Sequence, residues 1–455
     1  MSTAQETKAD QVAAGTTVFE PRIVAFVCKW CTYAGADLAG TSRMTYPPNV
    51  RTLMLPCTGR IDVSFVVRAF LQGADGVIVS GCHPGDCHYT AGNYRARRRW
   101  ILFRDLLDTL GLDLARFDLA WISAAEGVKW VKTIQAFTDK IKKLGPYESM
   151  HRLAADRTPG IAPRSEPAHL LFQVASQDGN TAPADPQLVT AVSEALGGKV
   201  KVVIGWTRSP TLSRPRPSWI TTPEAARSLV APSASGNLAR LLKNPQLGRI
   251  LPLGIVARSS EVLSLNVLAQ EAQVDPSSIV IFAMADDGRF LGTMNLAAAT
   301  TAMLQRLPTD RPVGFSDAVF KALDELMAKP PAERWEFWIE QSAKCIKCYA
   351  CRGSCPMCGC AQCFTDKNQP QWFPTAADGP GNFAWHLLRA FHLAGRCVGC
   401  GACQEACPAR IPLNILSAAM ARSALKHFGH RAGVDPKGAP LQSDFKPNDQ
   451  EDFIL

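Results

Sequence analysis

Seven cysteines fall between Cys345 and Cys363, in the stretch AKCIKCYACRGSCPMCGCAQCF. The first four, Cys345, Cys348, Cys351 and Cys355, are spaced C-x2-C-x2-C-x3-C, and Pro356 follows. Cys397, Cys400, Cys403 and Cys407 repeat the run in RCVGCGACQEACP, with Pro408 after it. Thiolates at this spacing fold a tight loop around a cubane [4Fe-4S] cluster, and the fourth is carried off by the chain that follows. The chemistry implied is one-electron transfer. A zinc site wants two C-x2-C pairs and four ligands, which two doubled runs ending in Cys-Pro do not match.

The doubled run is that of two-cluster bacterial ferredoxins, in which the fourth cysteine of each run ligates the other cluster. One [4Fe-4S] cluster is therefore expected on Cys345, Cys348, Cys351 and Cys407, and a second on Cys355, Cys397, Cys400 and Cys403. The prolines stop local helix and send the chain across. Cys358, Cys360 and Cys363 are left over. Two readings stand for them: a further cluster or metal site with a non-cysteine fourth ligand, or spare thiols packed as small hydrophobes. The insert at 364–396, with QPQWFP and FAWHLLRAFHLAG, is expected to shield the clusters or bind the neighbouring block. His386 and His392 lie six apart, off the i,i+4 face that paired ligands would share, so both read as packing or hydrogen-bonding residues.

Five more cysteines stand in the first ninety residues. Cys28 and Cys31 lie in VCKWC, Cys57 in LPCTG, and Cys82 and Cys87 in VSGCHPGDC, each group just after a short apolar run. If those runs are parallel strands, their carboxyl ends share one edge of a sheet, where open α/β folds bind ligands. Gly59, Gly81 and Gly85 let the backbone turn tightly there. Four thiols would complete a [2Fe-2S] site. The set Cys28, Cys57, Cys82 and Cys87 represents all three strand ends, with Cys31 as the alternative ligand. Buried free cysteines are the plain alternative, but they do not account for the placement.

The elements that must position these thiols form blocks. Residues 1–20 are polar and expected to be flexible. From 21 to 147, RIVAFV, TLMLP, DGVIVS and LAWIS read as buried parallel strands. Helical periodicity between them stops at Gly111 and Gly145. This is a doubly wound α/β domain, flavodoxin-like in outline. Residues 148–167, rich in Pro, Arg and small residues, read as a linker. A cysteine-free α/β domain with trailing helices follows over 168–340. Its strands are LLFQVA, KVVIGW, ILPLGIVA and SIVIFAMA, its helices EAARSLV and EVLSLNVLAQEA, and it carries no dinucleotide or Walker fingerprint. The dicluster domain spans 341–430, with a helix after Cys407. The tail, 431–455, is expected to be extended or to wrap a partner.

Composition narrows the class. The net charge of +9 is spread along the chain, so nucleic-acid binding is not expected. No basic-then-apolar leader and no membrane-spanning run is present in the sequence. Sixteen cysteines in such a chain mean metal or redox chemistry in a reducing, cytoplasmic setting.

Three motifs carry a resemblance. W-C-x-Y-A-G-A-D from Trp30, R-x-x-Y-P-P from Arg43 and G-C-H-P-G-D-C-H-Y from Gly81 resemble the delta subunit of methyl-viologen-reducing [NiFe] hydrogenase over residues 21–145. That resemblance implies one [2Fe-2S] cluster. It also implies electron passage between a catalytic oxidoreductase and a heterodisulfide-reductase-A-like FAD protein, with bifurcation in such complexes. Related modules occur with formate dehydrogenases and class II benzoyl-CoA reductases. The rest of the chain resembles the ferredoxin-type beta subunits beside formate dehydrogenases and heterodisulfide reductases.

The expected function is a non-catalytic electron-transfer subunit with one [2Fe-2S] and two [4Fe-4S] clusters and without flavin. It has no nucleophile–base constellation. Two rivals are a flavin-binding reductase and a redox-sensing scaffold with structural clusters. The four arginines of NYRARRRW read as a docking surface beside the cluster loop, against a solvated helix face. His83 and His88 flank the thiols and either tune the cluster or cap the loop, while Asp86 holds the turn.

Overall fold

The computed structural model describes residues 19–160, 181–208, 215–232, 236–244, 250–305, 307–366, 371 and 373–455. The N-terminal elements alternate: β1 (Ile23–Cys28), α1 (Thr32–Thr41), β2 (Val50–Leu55), α2 (Val63–Leu71), β3 (Gly76–Gly81), α3 (Gly92–Thr109), β4 (Phe117–Trp121) and α4 (Gly127–Leu144). The strands are all parallel, in the order β2–β1–β3–β4. Strand β3 is buried throughout, which is why its sequence is apolar without alternation. One sheet face, with Ile23, Ala25, Val27 and Ile78, packs on Trp130, Ile134 and Phe137 of α4. The other, with Phe26, Val77, Val79 and Leu119, packs on α2 and α3. Gly111 and Gly145 adopt positive φ just past α3 and α4, where the sequence placed the stops.

Residues 148–155, expected as linker, are instead a helix, α5 (Glu148–Ala155). Met150 and Leu153, spaced i,i+3, are buried in the core. Two apolar residues among Arg, Pro and small ones were too few to show the period. Residues 161–167 of that segment, and the strand expected at LLFQVA, lie outside the described residues.

The middle block contains β5 (Thr181–Pro183), α6 (Pro186–Leu196), β6 (Val203–Arg208), β7 (Pro215–Ile220), β8 (Val230–Pro232), β9 (Leu253–Ala257), α7 (Ser259–Gln270), β10 (Ile279–Met284), β11 (Phe290–Met294) and α8 (Leu296–Leu304). Its main sheet runs β11–β10–β9–β6–β7, parallel in the centre with antiparallel edges, and β5 pairs separately with β8. The helix expected at EAARSLV is a single 3-10 turn, Glu224–Ser228. Leu229, just after it, packs into the core beneath the sheet.

The remainder is helical: α9 (Asp317–Met327), α10 (Pro331–Ala343), α11 (Ala350–Ser354), α12 (Gly379–His392), α13 (Ala402–Glu405) and α14 (Leu413–Phe428). Helices α9, α10, α12 and α14 share one apolar core with α2 and α3 of the N-terminal module. Phe103 meets Phe391 edge-on at 6.1 Å, and Trp338 donates to the Thr109 carbonyl at 3.1 Å. The thiol-bearing modules at the two ends of the sequence are thus packed together. Among the described residues no helix is long and apolar enough to cross a membrane.

The stretch 431–455 wraps this chain itself. Arg97 donates to Glu451 at 2.9 Å and to the Lys446 and Pro447 carbonyls. Arg98 makes a two-pronged contact with Asp449 at 2.5 and 3.2 Å, and Tyr94 stacks on Phe445. Leu455 exchanges backbone hydrogen bonds with Leu119 and Trp121 at the open edge of β4. The docking surface read from NYRARRRW is therefore corrected. Arg97 and Arg98 are buried against residues 441–451, and Arg99 donates to the Gly59 and Ile61 carbonyls. Only Arg95 of the four is exposed.

The Arg98–Asp449 side chains are 3% and 6% exposed, and removing one partner strands a buried charge. Arg98→Ala is expected to cost about 3–5 kcal/mol of stability, measured by denaturant unfolding. Proteolysis after Lys446 should accelerate with it.

Candidate metal centres

Parallel pairing puts the carboxyl ends of β1, β2 and β3 on one edge, and the strand order reverses between β1 and β3. The five N-terminal thiols meet there. Cys28 ends β1, Cys31 caps α1, Cys57 caps a 3-10 turn after β2, and Cys82 and Cys87 lie in the loop from β3 to α3. The sulfurs of Cys28, Cys31 and Cys82 lie within 4.8 Å of one another. Cys57 and Cys87 form a second group, Sγ to Sγ 3.7 Å. The geometry thus brings Cys31 in beside Cys28 and Cys82. All five are free thiols.

The thiols of this pocket shift one another in opposite directions. A hydrogen bond from Cys82 holds Cys28 down at about 6 and, reciprocally, pushes Cys82 up. Burial pushes Cys31 and Cys57 up to about 11. The thiolate is the metal-binding form, and of Cys28, Cys31, Cys57 and Cys82 it is Cys28 that is shifted down.

Backbone and neighbours fit this site closely. The Gly59 N–H points at Cys57 Sγ, 3.4 Å away. Asn93, fully buried at the start of α3, donates to the His83 carbonyl at 2.6 Å, the Cys82 carbonyl at 3.2 Å and Cys82 Sγ at 3.8 Å. Sequence reasoning missed Asn93; its only signal was an amide at a helix start beside the cysteine loop. His83 pairs with Glu126 at 2.7 Å, and Glu126 is held at about 2, first by the Ser123 N–H and then by His83. His83 thus braces the loop against α4. His88 stacks on exposed Trp30 at 3.9 Å.

The C-terminal thiols lie in two neighbourhoods. Cys345, Cys351 and Cys403 are buried with Cys363, Cys407 and Trp385. Cys355, Cys358, Cys397 and Cys400 line the middle-block core. Burial raises Cys345, and charge on Cys407 and Cys348 raises it further. Cys397 is pushed up to about 12 by burial and then by Cys403 and Cys355. Cys400 is raised by burial, then by Cys355, Cys397 and Cys403. Cys407 thus sits beside the first run, and Cys355 beside the second.

The two loops repeat one backbone conformation. Lys347 and Tyr349 have φ of 53° and 57°, and the equivalent Gly399 and Gly401 have 69° and 74°. The left-handed turn points the Lys347 N–H at Cys345 Sγ, 3.4 Å away, and the Gly399 N–H at Cys397. Non-glycine residues in this conformation cost roughly 1–3 kcal/mol each and persist where the surroundings demand it.

Helix α12, from the insert between the runs, is buried on nearly every face and stands behind the thiols. Asn382 donates to the Cys345 carbonyl at 2.8 Å and Arg389 to the Cys351 carbonyl at 3.2 Å. His386 is buried with neither ring nitrogen hydrogen-bonded, and desolvation holds it at about 3. His392 packs edge-on against Phe364. The leftover cysteines are spread out. Cys358 hydrogen-bonds Cys355, which lowers Cys355 to about 5; Cys363 lies near Tyr349; Cys360 is exposed.

A sheet edge lined with free, paired thiols marks a metal-binding redox module, and comparison with known proteins agrees. Residues 23–145 match the family model "Methyl-viologen-reducing hydrogenase, delta subunit". The iron-sulfur subunit of the F420-non-reducing hydrogenase vhc of Methanococcus voltae is 53% identical over 128 residues, 28% of this chain and 89% of that protein. The corresponding iron-sulfur subunit of Archaeoglobus profundus is 50% identical over 130 residues, 29% of this chain and 95% of that one. A subunit of the ferredoxin/F(420)H(2)-dependent CoB-CoM heterodisulfide reductase of Methanosarcina acetivorans is 44% identical over 129 residues, 28% of this chain but 16% of that one. Through residues 23–145 the chain belongs to the methyl-viologen-reducing hydrogenase delta subunit family.

A Cβ at Gly92 would lie 2.3 Å from Cys57 Sγ and 3.2 Å from Cys87 Sγ. Gly92→Ala is therefore expected to force these sulfurs apart. Iron analysis of the variant should show less iron per chain than the wild type.

Proposed function

We propose that the chain is an electron-transfer subunit of an iron–sulfur oxidoreductase complex, with one [2Fe-2S] and two [4Fe-4S] clusters. The observation that carries this reading is the gathering of free thiols at both ends of the sequence into modules that share one core. A cytoplasmic setting is part of the proposal. So are a flavodoxin-like N-terminal domain, a cysteine-free middle domain and a ferredoxin-like dicluster domain.

The donor sets fit these groups. Two thiolates on one tetrahedral metal with bonds of about 2.3 Å stand about 3.8 Å apart, which suits Cys57 and Cys87 at 3.7 Å. Cys28 and Cys82 would hold the other iron, with Cys31 the alternative ligand. Cys345, Cys348, Cys351 and Cys407 would hold one cubane, and Cys355, Cys397, Cys400 and Cys403 the other. When bound, such clusters supply one-electron couples somewhere between roughly −700 and +450 mV. The chain's own residues do the rest. N–H groups of Gly59, Lys347 and Gly399 stabilise charge on sulfur, and α12 excludes water from behind the cubane loops.

The partner we propose is a heterodisulfide-reductase-A-like flavoprotein. In two Methanosarcina proteins named as subunits of CoB-CoM heterodisulfide reductases, the matching segment is part of the same polypeptide. A module joined covalently there suits docking on such a protein here. At its other end the relay would meet a catalytic oxidoreductase of hydrogenase, formate dehydrogenase or acyl-CoA reductase type.

Anaerobically purified protein is expected to contain about ten irons with matching sulfide, no flavin, one [2Fe-2S] EPR signal and coupled [4Fe-4S] signals. About eight irons without a [2Fe-2S] signal would remove the N-terminal cluster and the proposed partner. Stoichiometric flavin would replace the relay reading with a reductase.

A further inference from the structure

Arg389 lies on α12 and is 5% exposed. A guanidinium stays charged at any physiological pH. Its Nη2 donates to the Cys351 carbonyl at 3.2 Å, and its Nε has no partner. Among the described residues no carboxylate forms an ion pair with it, although every other buried arginine outside the thiol region has one. Arg97, Arg98, Arg116 and Arg334 pair with Glu451, Asp449, Asp113 and Asp108. The charges it senses most are thiols: Cys403, Cys355 and Cys351, drawn from both cysteine runs, and the leftover Cys358. Neutral thiols cannot balance a buried charge, whereas thiolates holding a cluster can.

A second cation shows the same anomaly on one side only. Lys243, from the 3-10 turn Leu238–Lys243 of the middle block, has a buried Nζ without a hydrogen-bond partner. After desolvation, the charges it senses most are Cys355 and Cys358. The nearby Arg396 is different, since Glu271 neutralises it with a two-pronged contact.

We infer that Arg389 is the shared counter-cation of the two cubane sites, a positioning residue whose fixed charge favours adding an electron to either. Lys243 adds its charge on the Cys355 side alone. Lys347 bears in the same way on Cys345 of the other site, its Nζ donating to the Pro374 carbonyl, so each site has a cation of its own besides the shared one. Net charge around a cluster and its hydrogen bonds set its potential. This inference rests on the proposed cubane assignment, and its test separates the two.

The test uses the full chain with its clusters. Iron and sulfide are measured first, then dithionite titration is followed by EPR. In Arg389→Gln with iron retained, both [4Fe-4S] reduction equilibria are expected to fall, the Cys355-side one at least tenfold, which is 59 mV for one electron. Arg389→Lys, which keeps the charge, should restore most of the shift. Lys243→Gln should lower one midpoint and leave the other. Unchanged midpoints in Arg389→Gln with full iron overturn the inference and leave the cubanes standing. If Arg389→Gln loses iron, Lys243→Gln decides: one midpoint lowered supports the assignment, and neither lowered overturns it. Wild-type protein without [4Fe-4S] signals removes the cubane assignment and the inference with it.

Discussion

Thiol sulfurs can be crowded into a protein interior as ligands only if something takes up their charge. Here Cys57 and Cys87 touch at 3.7 Å and three more sulfurs cluster beside them. In the C-terminal block, burial and mutual repulsion push most of the cysteines up. The thiolate form is costly without a metal, and much else in the structure lowers that cost. Backbone N–H groups aim at sulfur, left-handed turns hold them there, and cations stand unpaired nearby. A glycine leaves room where any side chain would collide with Cys57.

The sheet supplies the N-terminal geometry with little else. Three strands that end in step deliver cysteines from distant parts of the sequence to one crevice. The C-terminal loops have no sheet and depend on α12, a helix wrapped on almost all sides. That helix also carries Phe391 into the core shared with α3, so the wall behind the C-terminal cysteine loops and the helix leaving the N-terminal thiol loop belong to one packed unit. Substitutions in that core would be felt at the thiols of both modules.

What the sequence made legible was local. Cysteine spacing is set by a few residues of backbone, and buried parallel strands are apolar without a break, so both could be read directly. The stops at Gly111 and Gly145 were legible for the same reason. What stayed hidden depended on distant partners. Met150 and Leu153 mark α5 only once α2 and α12 are in place. Arg97 and Arg98 looked like a solvent-facing basic patch because their acids lie some 350 residues away. The left-handed turns at Lys347 and Tyr349 carry no glycine to mark them, unlike the matching Gly399 and Gly401.

The embrace of α3 by residues 441–451 bears on how the chain is made. Contacts that close across most of a polypeptide form slowly, because the intervening chain must be ordered first. During synthesis the N-terminal sheet emerges with Arg97 and Arg98 solvated and the edge of β4 bare, and an unpaired strand edge invites wrong pairings. Hydrogen bonds between residue 455 and that edge form only after the C-terminal cysteine-rich block has been translated. Completion of the first module is thereby tied to the arrival of the last, and a truncated nascent chain would carry an open sheet edge.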